Sequence, residues 1–136
     1  RVDRRQRQMC IRDREKMTSK NTLVNLTVAI NYGGRDEVAR ASRRMAQDVA
    51  KGKLNPDKVN EQTLARYLDT YVLPDPDLVI RTSGEARISN FLLWQSAYAE
   101  YEFVKTLWPD FTVRDFQEIV SIFGSRKRRF GGLLAS

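Results

Sequence analysis

Short runs rich in β-branched residues alternate with helical stretches along this chain, and that alternation restricts its fold more than any other feature. Strands are predicted at residues 23–30, 77–80 and 100–104. Between and after them, apolar spacing predicts helices at residues 36–51, at 60–71, from about 91, and at 112–128. Strands separated by helices pair in parallel, so the sequence predicts an α/β fold with an open, mainly parallel sheet flanked by helices. Three strands are few for such a sheet, so we expect an incomplete domain.

Local signals place the helix ends and the core. Gly52 is a predicted helix stop, Asn60 a predicted cap, and Thr112 with Asp115 a predicted capping box. Gly33 and Gly34 are expected to serve a tight turn at positive φ. Aromatic and aliphatic residues at helical spacing are expected in the core. They are Trp94, Tyr98, Trp108, Phe111, Phe116, Val120 and Phe123.

Composition excludes several classes of protein. The 136 residues amount to one domain, and 41% hydrophobic residues suffice for a core, which excludes a wholly disordered chain. One cysteine and no histidine exclude an internal disulfide framework, a Cys/His zinc site and a histidine-based triad. Neither an apolar run of about 20 residues nor a secretory signal is visible, so we expect a cytoplasmic protein.

The first 14 residues carry a disproportionate share of the +7 charge, because they hold six arginines and two aspartates. Such an arm could grip nucleic acid or an anionic lipid surface. However, the segment RRQRQMCIRDR at residues 4–14 is also the translation of a common transposase sequencing adapter. We therefore interpret residues 1–14 as an artefact and residues 15–136 as the native part, which then contains no cysteine.

The chemistry concentrates at residues 77–91, where a buried strand leads into a loop holding Arg81 and Arg87, with Ser89 as the predicted cap of the next helix. Ligands bind at the carboxyl ends of strands in open α/β sheets, and arginine forks match phosphate oxygens. Two such forks suit a ligand with more than one phosphate, and a diphosphate is the simplest choice. Alternatively, Arg81 and Glu85 form a surface ion pair, Arg87 is solvated and Ser89 only caps. The residues alone leave both interpretations open.

Glu100 stands where a predicted helix gives way to a strand. A carboxylate there could hold a Mg²⁺ ion that bridges to a diphosphate. A single glutamate among Tyr98, Tyr101 and Phe103 could equally be a surface or ion-paired residue.

Four ordered motifs resemble the cis-prenyltransferases, the family of undecaprenyl diphosphate synthase. They are NYGGR at residues 31–35, RTSGEARISNFLLWQSAYAEYEF from residue 81, LWPDF from residue 107, and RKRRFGG at residues 126–132. The resemblance covers residues 15–132 and implies the carboxyl-terminal half of the cis-prenyltransferase fold. It also implies condensation of isopentenyl diphosphate onto an allylic diphosphate such as farnesyl diphosphate, with Mg²⁺, to build long cis-polyprenyl diphosphates such as undecaprenyl diphosphate.

The same resemblance assigns roles to individual residues. Arg81, Arg87 and Ser89, with Ile88 in the same stretch, would bind the diphosphate of isopentenyl diphosphate, and Glu100 would hold Mg²⁺. Arg129 and Gly131 match an R-x-G element that reaches this site across a dimer interface, which implies a homodimer. The resemblance implies no nucleic-acid partner, and loose membrane contact would come only through the lipid product.

The family's amino-terminal half, with its D-G-N-x-R-W-A stretch, has no counterpart in these residues. No catalytic residue is therefore assigned here, and we expect the 136 residues alone to be inactive although the parent protein is an enzyme. Two alternatives stay open. One is a small basic nucleic-acid-binding module, suggested by the arginine-rich ends. The other is a noncatalytic subunit of a prenyltransferase complex.

Overall fold

A computed structural model describes residues 4–126 of the chain. The chain divides into two compact units, one ending at Ile30 and the other beginning at Asn31. The first unit contains helix α1 (Arg4–Thr18). The strand predicted at residues 23–30 is wrong: the segment is irregular, and Leu23 is 96% exposed. A strand needs a hydrogen-bonded neighbour, and no described residue pairs with this segment.

Helix α2 (Gly34–Ala50) confirms the predicted helix at residues 36–51 and begins two residues earlier. Its apolar stripe places Ala41 and Met45 in the core. Gly52 ends the helix as predicted, because its φ of +68° is a left-handed conformation that glycine adopts without strain. A short 3₁₀ helix (Pro56–Lys58) follows.

Helix α3 (Glu61–Ala65) begins where predicted but is shorter than expected. Asn60 caps it by accepting a hydrogen bond from the Thr63 amide at 2.9 Å. Beyond Ala65 the backbone tightens into i→i−3 turns as far as Leu73. The Asp69 amide instead donates to a carboxylate oxygen of Glu37 at 2.8 Å. That tertiary hydrogen bond takes a donor that a helix running to residue 71 would use.

Strands β1 (Leu78–Arg81) and β2 (Glu100–Phe103) pair in parallel, which confirms the α/β class and two of the three predicted strands. Leu78 lies opposite Glu100 and Arg81 opposite Phe103. The ladder continues at both ends, where the Glu100 amide donates to the Asp77 carbonyl and the Val104 amide to that of Arg81. This register places Arg81 at the carboxyl edge of the sheet.

The helix predicted from residue 91 is wrong. Residues 89–98 form successive turns, and Ser89, Asn90 and Leu92 have φ values of +47°, +64° and +47°. A regular right-handed helix cannot include such residues. Gln95 and Ser96 are buried in this segment, whereas Tyr98, expected in the core, is 76% exposed, and Trp94 is half-buried.

Helix α4 (Val113–Ser125) begins one residue later and ends three residues earlier than the predicted helix at residues 112–128, and it carries the predicted capping box. Thr112 and Asp115 exchange hydrogen bonds there, and the Thr112 donors hold the pKa of Asp115 below its ordinary value. The buried residue of the helix is Ile119, whereas Phe116 and Val120, expected in the core, are about half exposed. Phe123 is half-buried. The predicted helical spacing of apolar residues is therefore present, but the side of α4 that is buried is the one that carries Ile119.

Two further aromatic residues expected in the core lie before α4. Trp108, in a short 3₁₀ helix (Trp108–Asp110), is 73% exposed, and Phe111 is half-buried. Their rings stack on each other at 6.0 Å between centroids. Each ring therefore covers the other in part.

Of the helices in residues 4–126, none combines the length and the apolar character needed to cross a bilayer.

A buried carboxylate, that of Glu37 on α2, joins three segments of the second unit. It is fully buried and accepts hydrogen bonds from Tyr32 Oη at 2.6 Å, the Asp69 amide and Gln95 Nε2 at 3.0 Å. Gln95 Nε2 also donates to Thr70 Oγ1 at 2.7 Å. Burial first, and then the Glu37 hydrogen bond, raise the pKa of the Tyr32 phenol above its ordinary value. The network fixes α2 against the turns on either side of β1.

Candidate functional site

The guanidinium of Arg81 turns back over the loop that follows β1. Its Nη1 donates to the Arg87 carbonyl at 2.5 Å and to Ser89 Oγ at 2.9 Å. The loop can turn in this way because Ser83 and Gly84 both have positive φ, and glycine adopts it freely. Their amides donate to the Thr106 and Val104 carbonyls, which ties the loop to the segment after β2. Arg81 therefore lies at the end of β1, and its side chain is hydrogen-bonded to the loop that follows that strand.

Glu85 joins the two arginines of the loop. One of its oxygens accepts from Arg81 Nη2 and the other pairs with Arg87 Nη2, each at 2.5 Å. The Arg81 hydrogen bond is the main cause, and the charge of Arg87 a further one, that lowers the pKa of Glu85 below its ordinary value. The Arg81–Glu85 pair considered from the sequence thus exists, but Arg87 is not simply solvated. The Glu85 carboxylate therefore bridges the guanidinium groups of Arg81 and Arg87.

A cavity of about 180 Å³ opens beside these groups. Its polar wall is formed by the predicted residues Arg81, Arg87 and Ser89. Its apolar wall contains the predicted Ile88, which is 40% exposed, and side chains from both strands. Those other apolar residues are Val79, Ile80, Phe91, Tyr101 and Phe103. Cationic donors beside an apolar wall suit a ligand with an anionic head and a hydrocarbon tail.

The loop carrying Ser89 packs against the beginning of α2. Ser89 does not cap a following helix, because no helix forms there; Asn90 instead accepts hydrogen bonds from the Gly34 and Arg35 amides at 2.7 and 2.9 Å. The glycine prediction is corrected in detail. Gly33 has an extended φ of −151°, and the left-handed residue of the turn is Asn31 at +57°. The glycines allow close approach of the loop rather than positive φ.

Glu100 lies apart from the arginine pair. It begins β2 opposite Leu78, three residues before Arg81 in the register and so roughly 10 Å along the strand. Arg126 donates to Glu100 Oε2 at 3.0 Å and to Glu102 Oε2 at 2.5 Å, and the hydrogen bond to Glu100 is the first cause of the raised pKa of Arg126. Residues 4–126 contain no group of three or more potential metal ligands among His, Cys, Asp and Glu.

One carboxylate is nevertheless a donor set that Mg²⁺ uses, because it commonly takes one or two carboxylates and completes its shell with phosphates and water. Glu100 fits that requirement if its hydrogen bond from Arg126 is broken. The predicted Arg129 and Gly131 lie outside the described residues.

Three contacts of the site do not follow from the residue pattern. The bridging position of Glu85 has only a weak signal, its i, i+4 spacing from Arg81. The cap that Asn90 gives to α2 joins residues 55 positions apart, and the Arg126 pairing spans 26 positions. Contacts at such separations depend on the fold and leave no periodic trace in the sequence.

Comparison with known proteins gives a consistent result. Residues 3–131 match the prenyltransferase family model, described as undecaprenyl diphosphate synthase. A trans,polycis-polyprenyl diphosphate synthase from Thermobifida fusca, (2Z,6E)-farnesyl diphosphate specific, is 54% identical over 87% of this chain and 42% of its own. An isoprenyl transferase from Rhizobium meliloti is 51% identical over 88% of this chain and 48% of its own.

Among solved structures, lavandulyl diphosphate synthase from Lavandula x intermedia, in complex with dimethylallyl diphosphate, superposes with a TM-score of 0.85 at 37% identity. That match covers 91% of this chain and 53% of the plant protein. The chain spans about half the length of the curated relatives it matches. The residues described here therefore correspond to about half of each such protein.

Proposed function

The chain belongs to the prenyltransferase family of undecaprenyl diphosphate synthases, and from this premise we propose that Arg81, Arg87 and Ser89 bind the diphosphate of isopentenyl diphosphate. The observation that carries the proposal is the convergence of both guanidinium groups on Glu85 beside the cavity that Ser89 lines. Incoming phosphate oxygens can replace the Glu85 carboxylate oxygens, because both are anionic acceptors that fit the planar arginine fork.

The shape of the cavity supports the same ligand. Ile88 and the apolar side chains of the strands offer a hydrocarbon surface next to the cationic wall. A five-carbon isoprenoid tail would lie on that surface while its diphosphate pairs with the arginines. A purely inorganic anion would leave the apolar wall unused, so we expect the tail to add to affinity.

For the whole protein we propose transfer of prenyl groups. Isopentenyl diphosphate would condense onto an allylic diphosphate such as farnesyl diphosphate, giving long cis-polyprenyl diphosphates such as undecaprenyl diphosphate. The names of the Thermobifida and Rhizobium relatives support the reaction class, and the dimethylallyl diphosphate of the Lavandula structure supports an allylic partner. The 136 residues span only about half of such relatives, so we expect them to bind substrate without forming product.

Mg²⁺ is the proposed cofactor. Glu100 would hold it, and the ion would supply positive charge that offsets the diphosphate when bound. Arg126 would then lose its hydrogen bond to Glu100 and keep Glu102 as its carboxylate partner. We also keep as proposals a homodimer in which Arg129 and Gly131 of one protomer reach the site of the other, a cytoplasmic location, and loose membrane contact through the lipid product.

Calorimetric titration of the purified chain with isopentenyl diphosphate, with and without MgCl₂, tests the binding proposal. We expect saturable binding that is weakened about tenfold by Arg81→Lys, because lysine lacks the bidentate fork. Arg43→Lys, an exposed arginine on α2, is the matched control and should bind as the wild type does. Absent binding, or equal loss in both variants, would contradict the proposal. Incubation with farnesyl diphosphate, labelled isopentenyl diphosphate and Mg²⁺ tests the expected lack of turnover.

A further inference from the structure

Helix α2 begins without a side-chain cap of its own. Its N-cap residue is Gly33, which has no side chain to accept a hydrogen bond from the first turn. The first amides of a helix have no partner within the helix, so they need an acceptor from elsewhere. Asn90 supplies it: its carbonyl accepts from the Gly34 amide at 2.7 Å, and its side-chain Oδ1 accepts from the Arg35 amide at 2.9 Å.

The two segments fit closely, and substitution of either glycine would disturb the fit. A Cβ on Gly33 would lie 2.9 Å from Asn90 Nδ2, and one on Gly34 would lie 3.0 Å from the Leu93 amide nitrogen. Asn90 itself has a φ of +64°, which asparagine tolerates better than most residues. Gly33 is therefore matched to Asn90, and Gly34 to Leu93, across the contact.

The residue before Asn90 is Ser89, whose hydroxyl accepts from Arg81 Nη1. Ser89 has a φ of +47°, a conformation that costs a serine free energy and persists only where neighbouring contacts impose it. On the carboxyl side, Phe91 packs edge-on against Tyr32 with ring centroids 5.7 Å apart. Ser89 is thus followed by two residues that are both attached to the beginning of α2.

We propose that Asn90 is a positioning residue of the candidate site: by capping α2 from a distance it fixes Ser89 against Arg81. This inference rests on the proposed function for its ligand, since Ser89 and Arg81 are the groups assigned to the diphosphate. Asn90 touches no ligand itself. Its effect on binding passes entirely through the backbone that it anchors.

Three variants separate positioning from plain helix stability. Asn90→Gly keeps the positive φ but removes the Oδ1 acceptor. Gly33→Ser combined with Asn90→Gly returns a local side-chain cap to α2 without restoring the side-chain link to the Ser89 loop; the backbone hydrogen bond from the Gly34 amide to the carbonyl of residue 90 is common to all variants. Serine fits there because Gly33 has the extended backbone of an N-cap, and the close contact with Asn90 Nδ2 is gone in this background. Asn90→Asp keeps both the acceptor and tolerance of positive φ.

The test compares the 136-residue wild type with the three variants in melting temperature, in affinity for isopentenyl diphosphate, and in ¹⁵N relaxation of the Ser89 amide. Asn90→Gly should lower the melting temperature and weaken affinity about tenfold. The double variant should regain most of the melting temperature while affinity stays low and Ser89 stays mobile on the picosecond–nanosecond timescale. Asn90→Asp should keep wild-type Ser89 relaxation and bind within about threefold of the wild type.

Recovery of affinity together with melting temperature in the double variant would overturn the inference, because Asn90 would then act only as a cap. Unchanged affinity in Asn90→Gly would overturn it as well. If the wild type does not bind isopentenyl diphosphate, the proposed function fails and the relaxation data still decide. Equal Ser89 relaxation in the wild type, Asn90→Gly and the double variant would then refute positioning, and loss of order in the last two would support it.

Discussion

Two carboxylates of the second unit, Glu37 and Glu85, each join separate groups but do so with opposite chemistry. Glu37 is fully buried, and its partners are neutral: a phenol, a backbone amide and a side-chain amide. Glu85 is 39% exposed in its side chain, and its partners are two guanidinium groups. One carboxylate is enclosed by the fold, and the other pairs with two arginines that line a cavity.

The difference shows which of the two arrangements can serve a ligand. Removal of Glu37 would take the shared acceptor from three donors, one of them on the buried Gln95, so that network is committed to the fold. The partners of Glu85 are partly open to solvent, where ion pairs contribute little to stability and exchange readily with other anions. We therefore expect that a phosphate would replace the Glu85 oxygens without loss of the fold.

The largest expected effect comes from Glu37→Gln. The amide offers one acceptor oxygen where the carboxylate uses two for three donors, so at least one donor loses its acceptor, and we expect a loss of about 2–4 kcal/mol in the free energy of unfolding. Urea denaturation measures it. Glu118→Gln, at an exposed position on α4, is the matched control and should lie within about 0.5 kcal/mol of the wild type. Similar losses in both variants would remove the contrast between buried and exposed carboxylates.

A smaller and different effect is expected from Arg87→Lys. Arg87 is 63% exposed in its side chain, so its change should leave the urea midpoint where it is. A lysine cannot offer two parallel donors to a phosphate, so affinity for isopentenyl diphosphate should fall between threefold and about tenfold. Calorimetry checks the affinity. A shift in the urea midpoint with intact affinity would mean that the arginine pair supports the fold rather than a ligand.

Much of the fold could be predicted from local signals in the sequence. The apolar spacing of α2, the Asn60 cap, the Gly52 stop and the Thr112–Asp115 box all act within a few residues, and all four are confirmed. The failures share another cause. The strand expected at residues 23–30 lacks a neighbour among the described residues, and beyond α3 the Asp69 amide donates to Glu37, 32 positions away, rather than within a helix.

In the candidate site, too, the features set by local sequence could be predicted and those set by tertiary contacts could not. Residues Arg81, Arg87, Ile88 and Ser89 could be selected from one short segment because strand, loop and arginines follow one another in the sequence, and the structure places them around one cavity. Glu100 lies off this group because the strand register places it beside Leu78, with Arg126 as its partner. The sequence contains both glutamates of β2, but the pairing with a residue at the end of α4 depends on tertiary packing.

The smallest expected effect concerns acid. The two arginines hold the pKa of Glu85 below its ordinary value, so its ion pairs stabilise the chain at pH above the unfolded-state pKa of about 4.3 and are lost as pH falls through the lower folded-state pKa. The melting temperature of the wild type should exceed that of Glu85→Gln by at most about 3 °C between pH 7 and 5. The difference should shrink as pH falls below that unfolded-state pKa, while Asp69, whose pKa is lowered mainly by Arg40, titrates in both proteins and cancels. A difference that does not shrink as pH falls would mean that Glu85 stabilises the chain through packing, and the Glu85–arginine cluster would then resemble the Glu37 network rather than an exchangeable anion site.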